Sequence, residues 1–146
     1  MKNMSFSATT EQIRQRSKTV TRRMGWAHLK PGELFCAIEK GQGLKKGEKV
    51  NRLAVLRCIS NSRQELGLIF QATNPFTRRN AECKKEGFPG MSALDFVQMF
   101  QRLNHCTPNA LVQRIEFEYV EDGAGSHRGG NVQFRSGKLL LLTEAG

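Results

Sequence analysis

The clearest periodicity in the chain lies between Ser92 and Leu103. Ala93, Phe96, Val97, Phe100 and Leu103 recur at helical spacing, which predicts an amphipathic helix with those residues as its buried stripe. Ser92 is placed to cap it, with Asp95 three residues on as the acid of a capping box. Further along, Leu111, Ile115, Phe117 and Tyr119 alternate with Val112, Arg114, Glu116 and Glu118. That period of two predicts a half-buried strand with one wet face. Leu34 to Glu39 and Val50 to Ile59 also read as strands, the second ended by Asn61 and Ser62, and Glu65 to Phe70 reads as another. At the start, Asn3 to Ala8 reads as a short strand. A short helix follows from Thr9 to about Arg16, with Thr9 and Gln12 forming its capping box. Pro75 opens a helix reaching Lys85, capped by Thr73 or Asn74.

Turn signals separate these elements at Lys30-Pro31-Gly32-Glu33, at Lys46-Gly47-Glu48 and at Gly87-Phe88-Pro89-Gly90, with Gly41 and Gly43 in the connection before the second. Short strands with helices inserted between them predict a small α+β barrel or curled sheet, whose closure hides strand edges. Regular βαβ alternation is missing, so a Rossmann fold is excluded. The length of 146 residues suits one domain. Residues 1–120 form it, and residues 121–146 read as a Gly-rich polar C-terminal extension. Within that extension Val132 to Leu142 either adds a short edge strand or stays loosely packed.

Composition refines this picture. Hydrophobic content of 38% with 25% charged residues fits a globular chain rather than a disordered one. No apolar run approaches the roughly 20 residues needed to span a bilayer, and Lys2 is followed by no apolar stretch, so neither a membrane span nor a secretory signal is expected and the cytoplasm is the default compartment. Cys36, Cys58, Cys83 and Cys106 stand far apart with no C-x-x-C pair, and are read as free thiols. No His spacing suggests a metal, and no cofactor is implied. The formal charge is +10, and residues 1–63 hold all of the excess, with 14 Lys or Arg against 4 acids. Such a basic surface suits phosphate polymers or other anions.

Candidate chemistry centres on Lys18-Thr19-Val20-Thr21-Arg22-Arg23. In an extended chain Lys18, Val20 and Arg22 share one side, and a bend brings Lys18, Thr21 and Arg22 together. That grouping offers ammonium, hydroxyl and guanidinium donors to one anionic or carbonyl-rich ligand. A solvated basic loop is the plain alternative. Glu86, next to the flexible Gly87, is the candidate acid partner, with Glu82 competing for the role. Trp26 is either a base-stacking surface or a core residue. Arg78, Arg79, Lys84 and Lys85 form a second basic patch on the helix expected over 75–85.

These motifs, taken with Leu29-Lys30-Pro31-Gly32-Glu33, Leu44 to Val50, Glu86-Gly87-Phe88 and Arg114 to Tyr119, resemble an ASCH domain across roughly residues 5 to 120. The resemblance implies a PUA-like small β-barrel with inserted short helices and a cleft beside it. It also implies RNA or nucleotide binding. In an amidohydrolase branch that acts on acetylated cytidine, the matching K-x-x-T residues are Lys18 and Thr21. Threonine there attacks the acyl carbon or orients water, and lysine assists. The acid matches Glu86 best, with Glu82 as the alternative, and Arg22 would hold the ligand, with Arg23 a further candidate contact. Arg16 stands where the family commonly has glycine, and would narrow the cleft or add a phosphate contact.

The sequence thus supports an RNA- or nucleotide-binding module first. A hydrolase of a modified nucleoside or RNA using Lys18, Thr21 and Glu86 comes second. A protein-interaction domain that engages its partner through the C-terminal extension comes third.

Overall fold

The computed structural model describes residues 1–41 and 46–120, together with the backbone of 134–136 and 138–140. Five strands form the main sheet: β1 (Lys2–Ser5), β2 (Val20–Arg23), β3 (Leu34–Ile38), β4 (Arg52–Glu65) and β5 (Leu111–Tyr119). Their order is β1-β3-β4-β5-β2. β1 runs parallel to β3, and every other pairing is antiparallel. Three helices interrupt the strands, α1 (Thr10–Arg14), α2 (Ala81–Lys85) and α3 (Ala93–Asn104). The sheet curls into a half-barrel, and the whole is an α+β, PUA-like small barrel with short inserted helices. The register slips between Ala37 and Ile38 and between Cys58 and Ser60, and such bulges bend and twist a sheet.

Two apolar clusters fill the molecule. One lies within the curl and includes Met4, Phe6, Ile13, Leu29, Phe35, Leu56, Ile115 and Phe117. The other packs α3 against the region beyond β4, through Leu66, Ile69, Cys83, Phe96, Val97, Phe100 and Val112. All four cysteines are free thiols.

Several elements differ from the sequence expectation. β4 continues through Asn61 and Ser62. Asn61 stays in the strand because its side-chain amide donates to the carbonyls of Trp26 and Leu29, at 2.9 and 2.7 Å. The segment expected as a strand from Glu65 is a 3-10 helix, Leu66–Ala72. The helix expected over 75–85 is only α2. Asn74 caps a tight turn instead, its Oδ1 accepting from the amides of Phe76 and Thr77, and Asn80 is the true cap of α2. Arg78 and Arg79 therefore lie on a loop and not on that helix. Thr9 precedes α1 without a side-chain capping bond. In α3 Ser92 accepts from the Asp95 amide as expected, whereas Leu103 is 62% exposed. In β5 Leu111 is exposed and Val112 buried, the reverse of the predicted alternation at that end.

β6 (Phe134–Ser136) and β7 (Lys138–Leu140) pair antiparallel with each other and not with the main sheet. The rest of Val132 to Leu142, for which an edge strand or loose packing was expected, lies outside the described residues. The expected Gly-rich stretch from Glu121, and Gly43, Leu44 and Lys45 of the earlier connection, lie outside the described residues.

Candidate functional site

Lys18, Arg22, Glu82 and Glu86 are far apart in sequence and meet where β2 lies against α2. Glu82 and Glu86 are four residues apart, so one turn of helix puts both on the same face. The turn is fixed at its start by Asn80, whose Oδ1 accepts from the amides of Glu82 and Cys83 at 2.9 and 3.0 Å. It is tied to the entrance of β2 by the Thr19 amide, which donates to the Lys85 carbonyl at 2.8 Å. Gly87 lets the chain leave at once. Its φ is +99°, and a Cβ there would stand 2.8 Å from Gln12 Cγ, so only glycine fits this exit without strain.

Glu86 is the hub of the cluster. Lys18 Nζ donates to its carbonyl oxygen at 2.7 Å and to Oε1 at 2.8 Å. Arg22 Nη1 donates to Oε2 at 2.9 Å. The second guanidinium nitrogen of Arg22 reaches Glu82 Oε1 at 2.6 Å. All three central residues, Lys18, Arg22 and Glu86, are buried, a placement that ionised groups accept only when paired. Arg114 explains Glu82. Arg22 and Arg114 face each other across the β2–β5 pairing, and like charges directly opposite repel. Glu82 sits between them, taking Arg114 Nε at 2.6 Å and Nη2 at 3.1 Å.

The charges tune one another. Burial pulls Lys18 below the ordinary lysine value, and the Glu86 carboxylate offsets this only in part. Burial likewise lowers Arg23, to about 10. For Glu82, burial pushes the pKa upward, but the hydrogen bonds from Arg114 and Arg22 outweigh it and hold the carboxyl at about 2. Tyr119 closes the back of the site, its hydroxyl donating to the Lys18 carbonyl at 2.6 Å.

A cavity of about 330 Å³ opens beside this cluster, between the curl of the sheet and α3. Lys18, Thr21, Arg22, Arg23 and Glu86 form its polar lining, and Phe6, Trp26, Phe88, Phe96 and Phe100 supply aromatic wall. Arg23 Nε donates to Thr21 Oγ1 at 3.0 Å, and its guanidinium lies over the Phe6 ring at 4.6 Å. Among the described residues Arg23 has no carboxylate in ion-pair range, and the buried Nε of Arg22 has no hydrogen-bond partner. Three cations thus face one hollow whose lining holds one carboxylate, Glu86, an arrangement suited to an anionic or carbonyl-rich ligand. Grouped His, Cys, Asp or Glu side chains able to hold a metal are not found among the described residues.

The predicted residues fall into three groups. Lys18, Thr21, Arg22, Arg23, Trp26 and Glu86 line the cavity. Glu82 does not; it braces Arg22 and Arg114 from behind. Arg16 stands elsewhere, its guanidinium 5.3 Å above the Tyr119 ring. Sequence reasoning missed Arg114, Asn80 and the aromatic wall from α3. The alternation of β5 puts Arg114 on a wet strand face, and only the long-range register places it opposite Arg22. The helical spacing marks the α3 phenylalanines as core, yet the same stripe also walls the hollow.

The fold and this cavity define the class: a PUA-like half-barrel with a half-open hollow, lined by buried charged side chains, where barrel and helix meet. Among solved structures, protein EF3133 from Enterococcus faecalis V583, described under family DUF984, is similar to it. That likeness covers 88% of this chain and 85% of that one, with a TM-score of 0.51 and 12% identity, and it bears on the fold alone. No family model matches the chain, and no curated protein matches it. No helix among the described residues is long and apolar enough to cross a membrane.

Proposed function

We propose that the protein is an RNA- or nucleotide-binding module of ASCH type that takes a nucleotide-sized group into the cavity beside Lys18, Thr21, Arg22 and Arg23. The observation that carries this reading is the charge imbalance of the hollow. Lys18 and Arg22 share Glu86 inside the hollow while Glu82 holds Arg22 from behind it, Arg23 has no carboxylate in range among the described residues, and Arg22 Nε still has a hydrogen to give. The aromatic wall suits the flat face of a base, and the donors suit its carbonyls or a phosphate. Trp26, the only tryptophan, lines the cavity and provides the readout. Titrating mononucleotides and short RNA should quench its fluorescence. Arg23→Gln should weaken binding about tenfold, as expected for loss of a charge-assisted contact, and affinity should fall as salt rises. Affinity indifferent to salt and to this substitution would remove the basis for the proposal.

Lys18 and Thr21 on one hollow, with burial lowering the lysine pKa, favour a second reading: hydrolysis of an acyl group on a modified nucleoside. Here Thr21 acts as nucleophile or water guide and Lys18 assists. Glu86 is less suited to act as a base, because Lys18 and Arg22 occupy both of its oxygens. Mass analysis after incubation with acetylated cytidine decides this reading. Product formation that is lost in Thr21→Val supports it, and no turnover ends it.

A further inference from the structure

Phe76 is 92% exposed, more than any other large apolar residue among the described ones. It does not sit there because its loop is slack. The Asn74 carbonyl accepts from the Arg78 amide at 2.8 Å, the Asn74 amide donates to the Arg79 carbonyl at 2.8 Å, and Asn74 Oδ1 accepts from Phe76 and Thr77. A β-bridge between Thr73 and Asn80 closes the loop base, and the Asn80 amide group ties it to Ile69 and Thr73. Arg78 is held at φ +63°, a conformation that costs a non-glycine residue free energy and persists only when its surroundings enforce it. The fold therefore presents this phenylalanine ring to the outside on a fastened loop.

The surroundings are basic. No acidic residue occurs between Leu66 and Ala81. Arg78 and Arg79 follow the ring, and neither has a carboxylate in ion-pair range among the described residues. Both line a trough of about 460 Å³ with Thr77, Pro89, Met91 and Ser92. A protruding aromatic ring beside a concave, positively charged, hydroxyl-bearing trough matches a polynucleotide strand: a base has a face to stack, and its backbone has phosphates to lay alongside. A bilayer surface is flat and would use several apolar tips rather than a trough. We propose that the 74–79 loop is a single-strand docking element, in which Phe76 stacks on an unpaired base and Arg78 and Arg79 bind the flanking phosphates. This rests on the nucleic-acid reading of the cavity and extends it from one nucleotide to a strand.

The test uses the full chain, a fluorescently labelled single-stranded RNA decamer of mixed sequence, and mononucleotides read by Trp26. Phe76→Ala should weaken decamer binding about tenfold, within the range seen for losing a base–aromatic stack, and leave mononucleotide affinity unchanged. Phe76→Tyr should restore decamer binding. Arg78→Gln with Arg79→Gln should lower the slope of log affinity against log salt by about 1.4, the single-strand value for two phosphate contacts. The ring packs on nothing, so folding is not expected to change. Decamer affinity indifferent to Phe76→Ala overturns the proposal while the cavity reading survives. So does mononucleotide binding without decamer binding. Failure of both decamer and mononucleotide to bind overturns the cavity reading and this proposal together.

Discussion

Glu86 answers two cations and also lends one of them its backbone carbonyl. Replacing it with glutamine keeps the shape and removes the charge, leaving Lys18 and Arg22 buried against a neutral amide. Breaking a buried pair in this way is costly, so Glu86→Gln should destabilise the fold by about 3–5 kcal/mol, seen as a lower urea midpoint. Glu82 predicts a pH dependence. Its folded pKa, about 2, lies below the ordinary 4.5, so its stabilisation is complete above that ordinary value and is lost as pH falls through about 2. After allowance for solvent screening the term is on the order of 1–2 kcal/mol. Thermal unfolding of the parent protein should show a drop across that window. In Glu82→Gln the drop should shrink, and an unchanged profile would show that the Arg22 and Arg114 contacts do not set it.

At the level of elements, the site depends on a helix of five residues, too short to be stable alone. Asn80 compensates with four side-chain hydrogen bonds, to Ile69, Thr73, Glu82 and Cys83. Asn80→Ala removes the cap and strands buried partners, and should cost about 2–3 kcal/mol. It should also weaken cavity binding, because α2 holds Glu86 against Lys18. Ser92→Ala is the control: it removes the α3 cap at about 1 kcal/mol and should leave mononucleotide affinity alone, because Ser92 does not line the cavity. Comparing urea unfolding with ligand titration for the two variants separates helix capping from site assembly. The same elements show what sequence could and could not reveal. The α3 stripe and its Ser92 cap were legible because they are local. Asn80 was not, because Asn74 and Pro75 give an equally good local start signal, and only tertiary bonds to Ile69 and Thr73 decide between them. The sequence signals too short a β4 because Asn61 looks like a breaker until its partners on Trp26 and Leu29 are known. Lys18, Arg22 and Glu86 were legible as residue types suited to one ligand. Their contact, and the bracing of Arg22 by Glu82 and Arg114, required the β2–β5 register, which no local pattern encodes.

For the molecule as a whole, among the described residues, every pairing of the five-stranded sheet, both apolar clusters and the cavity lining fall between Lys2 and Val120. Among the described residues, the Val120 amide donates to the Val55 carbonyl at 2.9 Å. Residues 121–146 hold three basic and three acidic residues, so the +10 excess belongs wholly to residues 1–120. Stability follows from burial and pairing, and long-range attraction follows from net charge, so ending the chain after Val120 should change neither. The truncated protein is expected to unfold within about 2 °C of the full chain, a shift that corresponds to only a few tenths of a kcal/mol for a domain of this size. Its slope of log affinity against log salt for RNA should also be the same. A Tm lower by about 8 °C or more would mean that the final segment packs on the barrel. An intact Tm with a flattened salt slope would instead place phosphate contacts in the segment after Val120, and would move part of the binding surface away from the cavity and the Phe76 loop.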